Sequence, residues 1–169
     1  KDPKVTVEDD SEDCLLFVKI TESTSPDLDA YISYAIAAGW EIVEPTNTSS
    51  TLATISTLAD EIVIGRKVYK DDTIKEFSIL GAGSYTDPMG DEDDFTITWG
   101  ENQVCVKPSV TEQMMEAITG TGKIQPTLSF QAYAVQLFKT NSDGDKAKTT
   151  DEFTAAEAWA RAADMNTTP

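Results

Sequence analysis

The sequence predicts an all-β fold, an antiparallel jelly-roll-like β-sandwich with one or two short helices. Three observations carry that expectation. Thr, Val, Ile, Tyr and Phe gather in about eight short runs, the composition of strands. Turn residues separate those runs. The runs do not alternate with helical stretches in the way a parallel βαβ sheet requires.

The elements follow in order. Val5-Thr6-Val7 opens the series, and Cys14 to Ile20 is nearly continuous in apolar residues, as a central strand covered on both faces would be. Tyr31 to Val43 reads as two strand segments broken by a turn or bulge at Ala38-Gly39. Residues 45–51 form a polar loop. Ile62 to Tyr69 and Ile74 to Leu80 read as strands, with Phe77 and Ile79 on one side, joined by a hairpin turn at Lys70-Asp71-Asp72. Gly81 to Asp94 reads as a long loop. Phe95, Ile97 and Trp99 alternate with threonines, the signature of a half-buried strand, and a turn at Gly100-Glu101-Asn102 leads into Val104 to Lys107. Ser109 and Glu112 have capping-box spacing ahead of a helix that carries Val110, Met114 and Ile118 and stops at Gly120. Pro126 to Phe138 is the longest strand candidate. Its apolar face switches from Leu128 and Phe130 to Tyr133, Val135 and Leu137, which predicts a bulge or a change of sheet. Thr154 and Glu157 form a second capping box before an Ala-rich helix anchored by Trp159.

A length of 169 residues fits one domain over 1–169, and a chain of this size buries roughly 70% of its unfolded surface. Thirty acidic against 13 basic side chains leave a net charge of −17, which repels phosphate backbones and anionic lipid headgroups. Nucleic acid is therefore not expected as a partner. No apolar run reaches the 18 or so residues that span a bilayer, so membrane insertion of this chain is not expected either. The chain opens on Lys1-Asp2-Pro3, which resembles neither a signal nor a transit peptide and reads as processed or trimmed.

There is no His, which removes Ser-His-Asp triads, Cys-His dyads and the H-E-x-x-H zinc motif together. Acids are so abundant that a carboxylate pair carries no information about glycoside hydrolysis. The loop Asp87 to Asp94 could gather oxygen ligands for Ca²⁺, but no ligand spacing there is diagnostic, and a solvated acidic loop is the favoured reading of the same residues. Asn141 to Asp145 has part of an EF-hand spacing, but Lys146 stands where that loop needs Gly, so it reads as a turn. Trp40, Trp99, Trp159, Met114 and Met115 fit core or helix-packing positions. Cys14 and Cys105 both fall in strand-like runs, so they are either a cross-strand disulfide or two buried thiols. No catalytic, cofactor-binding or metal-ligating residue is assigned, and no cofactor is expected.

Lys1 to Glu8 with Ser11 to Lys19, then Tyr34 to Trp40, then Thr127 to Gln136 with Ala155 to Ala160, together resemble the TasA/camelysin family of secreted Gram-positive proteins. The resemblance implies export, residence on the cell surface or in the biofilm matrix, and a jelly-roll fold. It also implies fibre assembly by lending a strand to a neighbour, with this chain beginning after the first family strands and so exposing an edge or an incomplete groove. Peptidase activity, attached to some members, is not carried over because His is absent. The expectation is thus a non-enzymatic extracellular fibre subunit that pairs with other copies or related matrix proteins through sheet edges. The alternative is a secreted ligand-binding module, calcium-dependent if the Asp87 to Asp94 loop binds the ion.

Overall fold

The apolar run that begins at Cys14 forms a nine-residue strand, β2 (Cys14–Glu22). The computed structural model describes residues 2–46, 51–52, 54, 59–86, 96–139 and 151–166, and β2 lies inside its largest sheet. That sheet has four antiparallel strands in the order β12-β2-β6-β5, where β5 is Glu41–Glu44, β6 is Glu61–Val68 and β12 is Leu128–Gln136. Val18 stands opposite Ile64 on one side and Ala132 on the other. Successive side chains point to opposite faces, so Leu16, Val18 and Ile20 join Ile62 and Ile64 in one core. Leu15, Phe17 and Val63 join a second core on the reverse face. A strand covered on both faces must be apolar in both phases, which is why β2 shows no alternation.

The first face packs against a layer of short antiparallel pairs. β1 (Lys4–Thr6) pairs with β7 (Glu76–Ser78), and β4 (Ala35–Ile36) with β8 (Leu80–Gly81). β3 (Ile32–Ser33) pairs with β11 (Cys105–Val106), and β9 (Gly83–Thr86) with β10 (Thr96–Trp99), whose Trp99 joins Ala35 and Cys105 in a separate third cluster. Tyr34, Ile36, Trp40, Phe77, Ile79 and Leu80 carry that layer into the core. The second face is covered by α2 (Ala155–Asn166), whose Ala158 is fully buried. Trp159 sets its ring 5.3 Å from Tyr133 and 5.6 Å from Phe17. Aromatic pairs at these separations add about 1 kcal/mol beyond the area they bury. The capping box forms as its sequence predicts. Glu157 N–H donates to Thr154 Oγ1 at 3.2 Å, and Thr154 N–H donates to Glu157 Oε2 at 2.9 Å.

Several expectations are corrected. The turn after β6 forms, with Asp72 N–H donating to Tyr69 O at 3.0 Å, but β6 and β7 do not make a hairpin. Both edges of β6 are already occupied by β2 and β5, so the chain crosses to the other layer and β7 pairs with β1. The first part of the expected loop from Gly81 is strand β9. Gly83, unpromising for a strand, stands opposite Trp99, and a Cβ there would lie 2.4 Å from the indole. The first helix, α1 (Glu112–Ile118), is capped by Thr111 rather than Ser109, because Val110 N–H bonds Lys107 O and spends residues 107–110 on a turn.

β12 has neither bulge nor change of sheet: its register to β2 runs unbroken from Leu128 opposite Glu22 to Gln136 opposite Cys14. Its apolar face switches because the sheet has a core on each side. Leu128 and Phe130 lean on the first core and Tyr133 and Val135 on the second. Ala38-Gly39 is the expected turn, with Gly39 at φ +86°, where glycine avoids the Cβ clash.

Candidate functional site

The long outer strand of the sheet has one side unpaired. Ser23 N–H donates to Thr127 O and Leu137 N–H to Asp13 O, both at 3.0 Å, which fixes the odd-numbered residues of this segment as the ones bonded toward β2. The N–H and C=O groups of Leu128, Phe130, Ala132, Ala134 and Gln136 therefore point away from the sheet, with no strand against them among the described residues. Natural sheet edges are blunted by charge, Pro, bulges or shortness. β12 has none of these. Its nine residues, Leu-Ser-Phe-Gln-Ala-Tyr-Ala-Val-Gln, are uncharged, and the uncharged stretch extends from Ile124 to Phe138 in a chain of net charge −17.

Beside the first half of this edge the two layers do not close. The gap is an apolar groove of about 870 Å³. Leu128 and Phe130 of β12, with Pro126 just before it, form one wall, and Val106 of β11, Val104 just before it, and Met115 and Ile118 of α1 line the other. Leu28, Tyr31, Ile32, Leu80, Val110 and Pro3 complete the lining, with Asp2 its one charged residue. Val106 is 60% exposed and Met115 43%, so apolar side chains stand open to water at the mouth. Met115 is thus corrected from a packing position to a groove wall: one turn from buried Ile118, it faces the gap.

A buried carboxyl sits behind the groove. Glu22 stands opposite Leu128 and is only 5% exposed, and Tyr34 Oη–H donates to its Oε1 at 2.5 Å. Burial, chiefly, pushes its pKa up to about 7; the Tyr34 hydrogen bond opposes the rise, and Asp29, Asp60 and Asp27 reinforce it. Burial and the neighbouring carboxylate push the Tyr34 hydroxyl up as well. Asp29 is raised by its own burial, against the pull of Lys107, whose Nζ donates to the Asp29 carbonyl. The short helical turn Leu28–Ala30 holds Asp29 here, capped by Asp27 accepting from Asp29 N–H at 3.0 Å.

Cys14 and Cys105 are both buried free thiols. β2 and β11 are not neighbours, so no cross-strand bond forms between them, and burial pushes the Cys14 thiol up. The Asp87 to Asp94 loop and the Asn141 to Asp145 turn lie outside the described residues. Among the described residues, no three Cys, Asp or Glu side chains gather to hold a metal ion, and no helix is long and apolar enough to cross a membrane. Sequence reading missed Glu22, which continues the buried phase of Cys14, Leu16, Val18 and Ile20, and missed the groove, which joins segments distant in the chain. The chain matches no protein-family model, no curated protein and no solved structure in comparisons with each.

Proposed function

We propose that this chain is an extracellular structural protein, a biofilm-matrix or cell-surface fibre subunit that assembles by β-strand addition. The observation that supports the reading is the nine-residue, uncharged, unbulged β12 edge with its outward main-chain groups unpaired among the described residues. A strand added there gains ladder hydrogen bonds, and its alternate side chains meet the apolar groove alongside. A jelly-roll-like sandwich is part of the same proposal, with the four-stranded sheet as one wall and the short antiparallel pairs as the other. The resemblance to TasA/camelysin proteins points the same way for compartment and assembly. At net charge −17 copies repel one another, so association is expected to strengthen with salt; the screening length is about 8 Å at physiological ionic strength.

Electron microscopy and sedimentation of the purified protein over a range of salt and concentration test the proposal. Wild type is expected to form filaments or higher oligomers, and Ala134→Lys, which charges an exposed edge position, to abolish them while the monomer keeps its folded circular-dichroism spectrum. Wild type that stays monomeric throughout overturns it. The groove's volume also favours a second reading, a secreted ligand-binding module, since small-molecule sites occupy roughly 300–1,000 Å³. Titration with a neutral apolar fluorophore checks that reading. No saturable signal, or one unmoved by Met115→Glu, removes it.

A further inference from the structure

We infer that the first partner of the β12 edge is β12 of a second copy, paired antiparallel about a twofold axis through Ala132. The inference rests on the reading of β12 as an assembly edge and names its occupant and register.

Charge selects the surface. Two bodies of net charge −17 repel least, and come most readily into main-chain contact, where neither presents carboxylates. The edge meets that condition on both sides of the seam, because residues 124–138 are uncharged and are bounded by Lys123 and Lys139 rather than by acids. A second copy brings an edge as neutral as the first.

Geometry selects the register. The outward groups belong to the even-numbered residues, and Ala132 is the central one of the five. Centring the pair on Ala132 sets outward residue against outward residue along the whole strand, Leu128 to Gln136 and Phe130 to Ala134 of the second copy. Each of five residues contributes one N–H and one C=O, so all ten outward groups of each copy are used, in ten hydrogen bonds across the seam. A slip by one residue would set outward groups against side-on ones and lose the ladder.

Side-chain volume agrees with that register on both faces. On the groove face, Phe130 falls beside Ala134 and Leu128 beside Gln136, with Ala132 beside Ala132. On the helix face, Tyr133 falls beside Gln131 and Val135 beside Ser129. Every large apolar side chain meets a smaller or flexible polar one, the sort of cross-strand complementarity that stabilises a ladder. The apolar halves lie at opposite ends of the strand on the two faces, the same switch that the two cores impose. The product is a continuous eight-stranded sheet. An isologous pair of this kind is closed, so it is a first assembly step and growth into a fibre would add another surface.

Single-cysteine crosslinking tests the register. Opposed residues in a hydrogen-bonded antiparallel pair have Cα atoms about 5.5 Å apart, inside disulfide range. Ala132 is exposed, so Ala132→Cys leaves the folded body intact, and the native cysteines are both buried. Under mild oxidation Ala132→Cys is expected to give a covalent dimer at least tenfold faster than Ser129→Cys, whose two copies would lie about 20 Å apart at 3.4 Å per residue. Mixing Ser129→Cys with Val135→Cys is expected to restore the crosslink. Equal rates for the two single variants, or no dimer from either, overturn the self-pairing. Ala134→Lys then separates the two levels. If it still abolishes assembly, the edge is used but by another strand. If assembly survives it, the edge reading fails as well.

Discussion

Replacing Glu22 by Gln tests the buried carboxyl through the pH dependence of stability. Its folded pKa of about 7 lies above its ordinary 4.5, so the folded protein binds the proton more tightly than the unfolded chain does. For an acid with a raised pKa, the favourable contribution is complete below about 4.5. It is lost as pH rises toward 7 and stays lost above that. Each tenfold difference in proton affinity is about 1.4 kcal/mol, so the interval corresponds to about 3 kcal/mol between pH 4.5 and 8. Gln keeps the shape and accepts the Tyr34 hydroxyl through its carbonyl, while its extra N–H₂ adds a cost independent of pH. All other carboxylates, including Asp27, Asp29 and Asp60, are common to both proteins, so apart from their coupling to Glu22 itself their titrations cancel in the difference. Urea titrations at stepped pH, followed by the fluorescence of Trp40, Trp99 and Trp159, read it directly. Wild type minus variant is expected to fall by about 3 kcal/mol from pH 4.5 to 8, a relative midpoint shift of roughly 1.5 M urea. Parallel stability curves across that range would show that Glu22 ionises freely in the folded state, and the reasoning would fail.

Three further outcomes are expected. Gly83→Ala should cost about 1–3 kcal/mol and perturb Trp99 emission, because the new Cβ falls 2.4 Å from the indole; an unchanged Tm would contradict that contact. Thr154→Ala should cost about 1 kcal/mol by removing the hydroxyl that accepts from Glu157 N–H, with Thr154→Ser restoring it, as measured by thermal melts. Neither Cys14 nor Cys105 should react with a thiol reagent until the protein unfolds, and reduction should leave gel mobility unchanged. Fast native-state labelling of either would contradict their burial.

The sequence by itself determined what depends on neighbours along the chain. The unbroken apolar run of β2, the alternation of Thr96–Trp99, the Gly39 turn and the Thr154–Glu157 capping box are local patterns, and each appears where its residues place it. Tertiary structure decided whatever depends on which surfaces were still free. β7 could not pair with β6 because both edges of β6 were filled, and Gly83 became a strand residue because Trp99 needed the room. The face switch in β12 read as a bulge because a single strand cannot show that its sheet has a core on each side. The groove and the buried Glu22–Tyr34 pair were hidden for the same reason: burial belongs to the assembled layers, and residues such as Val106, Met115 and Leu128 acquire a shared role only when packing brings their segments together.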